Sequence, residues 1–280
     1  MNEYDADIWK HYCQKENYYA ANRNFFEYNP EITPAVRKYY VNFIFKVAAE
    51  CLLHREVAYM TLNYVDRYFS ISIDFPKDDV ELVCIVSILI ASKIEEIYAP
   101  RIEKLLSLCN YEYTKAQFRK LELHIAMELG WKLCPPTPNY WLGVYLRNSV
   151  FLLHKSKTPK EFYELNFKPK IFALIMNLID VAAHHPDYMV FSPSLLAASA
   201  FYLYRNSEDD LIYHCSGISP TNETDCVKFL CQFIEVPMDI AVNKALVSVE
   251  WKNRHNIQLY NAACAYLTLR CFSVQNKMAE

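Results

Sequence analysis

Leu82-Val-Cys-Ile-Val-Ser-Ile-Leu-Ile-Ala-Ser-Lys-Ile-Glu-Glu96 is apolar or small on every face for its first ten residues and then ends in charge. A helix that is apolar all round must be enclosed by neighbours, so this stretch predicts the central, fully buried helix of an all-helical core. Asp78, followed three residues later by Glu81, predicts a capping box at its start. At its other end the fixed cation of Lys93 stands beside hydrophobic Ile94, with Glu95 and Glu96 next. A charge and an apolar residue at the mouth of a buried helix make a construction suited to gripping another protein.

The rest of the composition agrees with this reading. The chain has 280 residues, 53% of them hydrophobic, which is enough for two cores of ordinary size. Its formal net charge of -3 gives no global attraction to nucleic acid or to anionic membranes. The longest apolar run, Leu82 to Ala91, is about half of what a bilayer span requires, so no membrane partner is expected. Ten cysteines are scattered without a C-x-x-C pair, and no secretory segment is read at the N-terminus. A reducing compartment, nucleus or cytoplasm, is expected. Three glycines, at 130, 143 and 217, leave no place for a phosphate-cradling loop, so no nucleotide cofactor is expected.

Outward from the central stretch, the 3.6-residue spacing predicts more helices. Thr33-Pro34 opens one that runs to about Leu53, with Val41, Ile44, Val47, Ala48, Cys51 and Leu52 inward. Arg55 to Ser70 buries Ala58, Leu62, Val65 and Phe69. Ile102 to Cys109 is shorter. Thr114 and Gln117 form a capping box before the stripe Phe118, Leu121, Ile125 and Leu129. Cys-Pro-Pro-Thr-Pro at 134 to 138 then forbids helix continuation and marks a domain boundary. A second set is expected near 138 to 154, 168 to 184, 193 to 205, 207 to 215 and 222 to 234. Before them all, residues 4 to 16 predict a short amphipathic helix, followed by an extended connector to Ile32.

The halves echo one another in letters. Asn63-Tyr-Val-Asp66 returns as Asn177-Leu-Ile-Asp180, and Ser87-Ile-Leu-Ile-Ala-Ser92 as Ser194-Leu-Leu-Ala-Ala-Ser199. After the second echo stands Ala200 where the first half has Lys93. The first half is therefore the better candidate for function. The fold expected is all-α, with two tandem five-helix domains: an N-terminal helix and connector over 1–32, domains over 33–134 and 135–250, and an extension over 251–280.

Ala91-Ser-Lys-Ile-Glu-Glu-Ile-Tyr-Ala-Pro100 in the first of two such repeats resembles the cyclin box of the cyclins. Arg37, Asp66, Leu82, Lys93 and Glu122 stand in register with five characteristic positions of that family, and the resemblance covers roughly residues 4 to 240. It implies a regulatory subunit without catalytic groups that binds and allosterically activates a cyclin-dependent protein kinase in cell-cycle control. It implies a structural ion pair between Arg37 and Asp66. It implies that Lys93 and Glu122 hydrogen-bond backbone groups around the kinase's regulatory helix, flanked by Ile94, Ala126, Trp131 and Leu133, with Tyr4 and Ile8 of the N-terminal helix also on the kinase.

The family's substrate-docking groove is altered in this chain. The matching positions are Val36, Tyr39 and Tyr40, with Phe43 where a tryptophan is usual, Lys46 where an acid is usual, and Lys77 and Glu81 nearby. Docking of protein substrates or inhibitors through a basic Arg-x-Leu motif is expected to be weak. His54-Arg-Glu and Glu95-Glu-Ile-Tyr-Ala-Pro resemble the E and A types, whereas Arg37-Lys-Tyr-Tyr and Trp131-Lys-Leu-Cys-Pro-Pro-Thr resemble the J type. No Arg-x-x-Leu motif occurs, so turnover by that route is not expected. Two other readings remain open at this point. Lysines 155, 157, 160, 168 and 170 would serve a transcription-type adaptor touching protein or DNA, against the overall charge. His184-His185 and Asp209-Asp210 invite a metal reading but lack a metal motif.

Overall fold

The computed structural model of the protein describes residues 3–73, 75–153, 169–204, 213, 216–218 and 220–233, with side chains other than those of 3–10, 150–153, 169–170 and 220–224. Among them there are helices and irregular connections and no β-strand. They form two compact units, 3–136 with 183–190, and 137–182 with 191–233.

In the first unit, α1 (Glu3–Tyr18) and the one-turn α2 (Phe25–Tyr28) precede α3 (Pro34–Glu50), α4 (Arg55–Ile71), α5 (Val80–Glu95), α6 (Ile102–Leu106) and α7 (Lys115–Glu128). Thr33 accepts a hydrogen bond from the Val36 amide at 3.3 Å, with Pro34 in the first helical position, and so starts α3 as its sequence requires. At α7 both arms of the Thr114–Gln117 capping box are formed. Residues Val80 to Ser92 of α5 are buried without interruption, enclosed by α3, α4, α6 and α7.

Three local expectations are corrected. The connector before α3 is not extended: Phe25 and Ile32 are fully buried, and so is Asn29. The Asn29 carboxamide donates to Phe69 O at 2.9 Å and Ser72 O at 2.8 Å and accepts from the Phe75 amide at 3.0 Å. It thus satisfies carbonyls orphaned at the end of α4. Leu52 is not inward but 72% exposed. The helix ends in a Schellman turn, with Leu52 at φ 54° and the Leu53 amide donating to Ala48 O at 2.9 Å, which turns Leu53 into the core instead.

The third correction is the capping box at Asp78 and Glu81, which does not form. A 3-10 turn, Lys77–Asp79, leads straight into α5, and the residue at the cap makes no side-chain bond. Glu81 is 2% exposed and is used elsewhere. It accepts the Tyr39 hydroxyl, the Asn110 amide at 2.7 Å and the Asn110 carboxamide at 2.5 Å.

The buried polar centre of this unit is Arg37 with Asp66. The guanidinium donates to both carboxylate oxygens, at 3.2 and 3.0 Å, joining α3 to α4. Its remaining arm donates to Ala183 O at 2.8 Å and His185 O at 3.2 Å. Tyr40 adds its hydroxyl to the same carboxylate. Burial disfavours the charge on Arg37, but Asp66 outweighs it and the pKa rises. Burial and Asp66 also push the Tyr40 phenol well up, so it remains a donor.

In the second unit, α8 (Pro138–Leu153), α9 (Pro169–Ala182), α10 (Pro193–Tyr204) and α11 (Pro220–Cys231) are described, with α10 packed on the other three. The helix expected at 207–215, apart from Tyr213, and the extension at 251–280 lie outside the described residues, as do Asp209, Asp210 and the lysines at 155, 157, 160 and 168. Lys170 lies in α9, but its side chain is not among those described. No helix among the described residues is long and apolar enough to cross a membrane.

Replacing Arg37 with Met strands a buried carboxylate, which costs about 3–5 kcal/mol. Tyr40→Phe removes one bond to a charged acceptor and costs about 1.5–3 kcal/mol. Urea denaturation should show the larger midpoint fall for Arg37→Met; equal midpoints for that variant and the parent would refute the structural role.

Candidate protein-docking site

The site is built where α5 leaves the core. Ser92 is its last buried residue, and Lys93, Ile94 and Glu95 emerge into solvent. Because α5 packs on α7, Lys93 comes within reach of Glu122, and the two form a direct ion pair. It is a surface pair, with the lysine side chain 52% and the glutamate 23% exposed. Such a pair contributes little to stability, ~0–1 kcal/mol, and its partners can be redirected to another molecule at small cost.

Around this pair the apolar residues predicted for docking divide into two groups. Ile94 is 42% and Trp131 65% exposed, while Leu133 is partly buried and Ala126 is buried as the floor beside them. Tyr4 and Ile8 fall outside the residues whose side chains are described. Ile97 and Tyr98, which sequence reasoning passed over, are 84% and 89% exposed just beyond Ile94. Their signal was legible: an apolar pair after a helix end, with neither a 3.6 nor a 2 period to bury it.

Trp131 owes its exposure to the backbone. Helix α7 closes with the Gly130 amide donating to Met127 O and the Trp131 amide to Ala126 O, both at 2.9 Å, and Gly130 takes φ 59°. Trp131 then takes φ 58° as well. The left-handed region costs a residue with a Cβ about 1–2 kcal/mol. Two successive left-handed residues turn the chain sharply and leave the indole on the outside, so Trp131 is not an ordinary core residue.

Glu96, prominent in the sequence as part of the charged end, turns inward. Its carboxylate accepts the His54 amide at 2.6 Å and faces His54 Nδ1 at 2.9 Å. It thereby caps the start of α4 and ties the loop after Lys93 to the body of the unit.

The region corresponding to a substrate-docking groove is only partly a surface. Tyr39, Lys46 and Lys77 are exposed and Val36 is partly so, but Tyr40 and Phe43 are buried. Tyr40 therefore does not fill a surface groove; it faces Asp66 in the core. Glu81 is no acidic rim either, because both its oxygens are occupied by Tyr39 and Asn110. Burial first, and Glu81 second, push the Tyr39 phenol up to about 12, so it stays a donor to that carboxylate. Lys46 lies 3.9 Å from Glu50, one turn along α3.

His184 is buried with its ring 5.7 Å from that of Phe45. No group of three or more His, Cys, Asp or Glu among the described residues is placed to hold a metal.

Residues 7–134 match the family model of the cyclin N-terminal domain, and residues 136–255 that of the cyclin C-terminal domain. G1/S-specific cyclin-E1 of Danio rerio is 26% identical over 256 residues, covering 91% of this chain and 61% of the relative. G1/S-specific cyclin-E of Hemicentrotus pulcherrimus is 27% identical over 267 residues, covering 94% and 61%. The chain thus spans 61% of the length of these relatives. A viral cyclin from herpesvirus saimiri shares the fold, with a TM-score of 0.65 at 17% identity over 81% of this chain and 96% of that one.

The exposure and the strain at Trp131 together predict a trade. Trp131→Asn, a residue that tolerates the left-handed region, should leave the melting temperature unchanged or raise it by about 2–4 °C. A clear fall in calorimetry would show that the indole packs against the body after all.

Proposed function

Since the chain belongs to the cyclin family, matching that family's models for both its N- and C-terminal domains, we propose that it is a regulatory subunit that binds and allosterically activates a cyclin-dependent serine/threonine kinase in cell-cycle control. The observation that carries this reading is the ion pair of Lys93 and Glu122 at the exposed end of an otherwise buried helix. An ammonium offers donors and a carboxylate offers acceptors, so the pair can satisfy both kinds of backbone group on a partner's exposed turn. Ile94, Trp131, Ile97 and Tyr98 supply exposed apolar area beside it.

The mechanism is a shift of population. A protein kinase needs the lysine of its third strand paired with the glutamate of its regulatory helix before ATP is held productively. A rigid surface that binds only the inward position of that helix favours the active state by its differential affinity. Moving the kinase from 1:99 to 99:1 requires a discrimination of about 10⁴-fold. The site meets this need by being pre-formed: α5 is locked by its neighbours and the following loop by Glu96. The cyclin supplies no catalytic group in this scheme, and its place of action would be nucleus or cytoplasm.

Two measurements test the reading. Co-purification and titration with a panel of cyclin-dependent kinases should find a partner, and Lys93→Ala with Glu122→Ala should weaken it about 10–100-fold, as expected of desolvated interface charges. Undiminished binding and activation by the double variant would remove the site. Separately, a labelled Arg-x-Leu peptide should show no saturable binding, because Glu81 is internally engaged and Lys46 repels a basic motif. Tight binding would overturn the reading of the altered groove.

A further inference from the structure

Resting on the docking role of Trp131 above, we propose that Arg67 is the positioning residue of that side chain, and that the N-terminal helix acts on the docking face through Arg67. The guanidinium donates to Leu129 O at 3.2 Å and to Lys132 O at 2.8 Å, the carbonyls that flank Gly130 and Trp131. One rigid cation thus spans the left-handed pair like a chord. Trp131 cannot relax toward an ordinary extended backbone without pulling a carbonyl off that cation. Tyr64, one turn earlier on the same face of α4, donates its hydroxyl to Leu133 O and fixes the next residue.

Arg67 is 8% exposed, and no carboxylate pairs with it among the described residues. Neutral oxygens carry its solvation, which makes the dependence mutual: the buried cation needs the carbonyls as much as the turn needs the cation. The same guanidinium lies 5.1 Å from the centre of the Tyr19 ring, just after α1. Asn63 closes the circuit, accepting from Arg67 at 3.3 Å and donating to Tyr19 O at 2.8 Å. Lys132 Nζ stands 5.5 Å from the ring of Tyr18. The end of the N-terminal helix therefore covers the clamp that holds Trp131.

The test labels the chain with 5-fluorotryptophan, which reports on its four tryptophans, and assigns the Trp131 fluorine signal with Trp131→Phe. Arg67→Met should shift and broaden that signal while leaving buried Trp141 of the second unit unchanged. Tyr19→Leu should move it in the same direction by less. In kinase titrations Arg67→Met should weaken binding about tenfold, and adding it to Trp131→Ala should cause no further loss, as expected of two residues acting as one. An unmoved Trp131 signal, or losses that add, would overturn the proposal. Should Arg67→Met fail to fold, Arg67→Lys decides: one ammonium cannot hold both carbonyls in the guanidinium's fork, so a Trp131 signal identical to the parent's would refute it. Absence of any kinase partner for the parent chain would instead refute the docking role, while the fluorine signal still decides the positioning.

Discussion

Thirteen consecutive residues, Val80 to Ser92, are buried on every side of one helix, and that burial is the constraint from which the first unit follows. Each buried Leu, Ile or Val contributes about 1.5–3 kcal/mol only if neighbours exclude water all round, so α3, α4, α6 and α7 must pack about α5. The same requirement defines the end of α5 at which docking is proposed. Lys93 is the first residue that escapes the enclosure, and it does so beside α7, where Glu122 is waiting. The docking site proposed at this place would stand on a helix enclosed by its neighbours on every side.

Enclosing one helix with others brings backbone ends into the interior, and four long polar side chains deal with them. Asn29 serves the end of α4, Arg67 the end of α7, and Glu81 the amide of Asn110 after α6. Arg37 answers Asp66 and two carbonyls of the 183–190 segment together. Each of these groups is costly to bury alone and is tolerated because its partners are fixed. Only Arg37 was read in its role from the sequence; Asn29 lay unnoticed in what looked like an extended connector. Glu81 looked like a cap or a surface acid and is a buried acceptor; Arg67 drew no notice and holds the turn that displays Trp131.

The second unit makes the contrast visible. Its echo of the central stretch, Ser194 to Ser199, is buried except at half-buried Leu195, but α10 runs on to Tyr204 and Ala200 lies inside the buried part at 1% exposure. The position that carries the exposed cation in the first repeat is core in the second. The substitution of Ala for Lys was readable in the letters. That Ala200 is packed in the core was not, because burial at that position depends on the neighbours α8, α9 and α11 rather than on the period.

The helical periods, the proline boundary, the capping box at Thr114 and Gln117 and the pairing of Arg37 with Asp66 were all determined by the sequence. Each is a local pattern, or a resemblance carried by residues whose chemistry is complementary. The contact of Lys93 with Glu122 was inferable in kind, as two opposite charges in register. Only the tertiary structure decided which way side chains turn where the chain leaves its helices, Leu52 out and Leu53 in, Glu96 in, and that Tyr40 faces the core; for Trp131 it decided the backbone that turns it out. At those points left-handed residues and buried hydrogen bonds set the direction, and neither is written in a hydrophobic period. The face proposed for docking was therefore predictable as a place, while its shape depends on a turn held by the buried hydrogen bonds of Arg67.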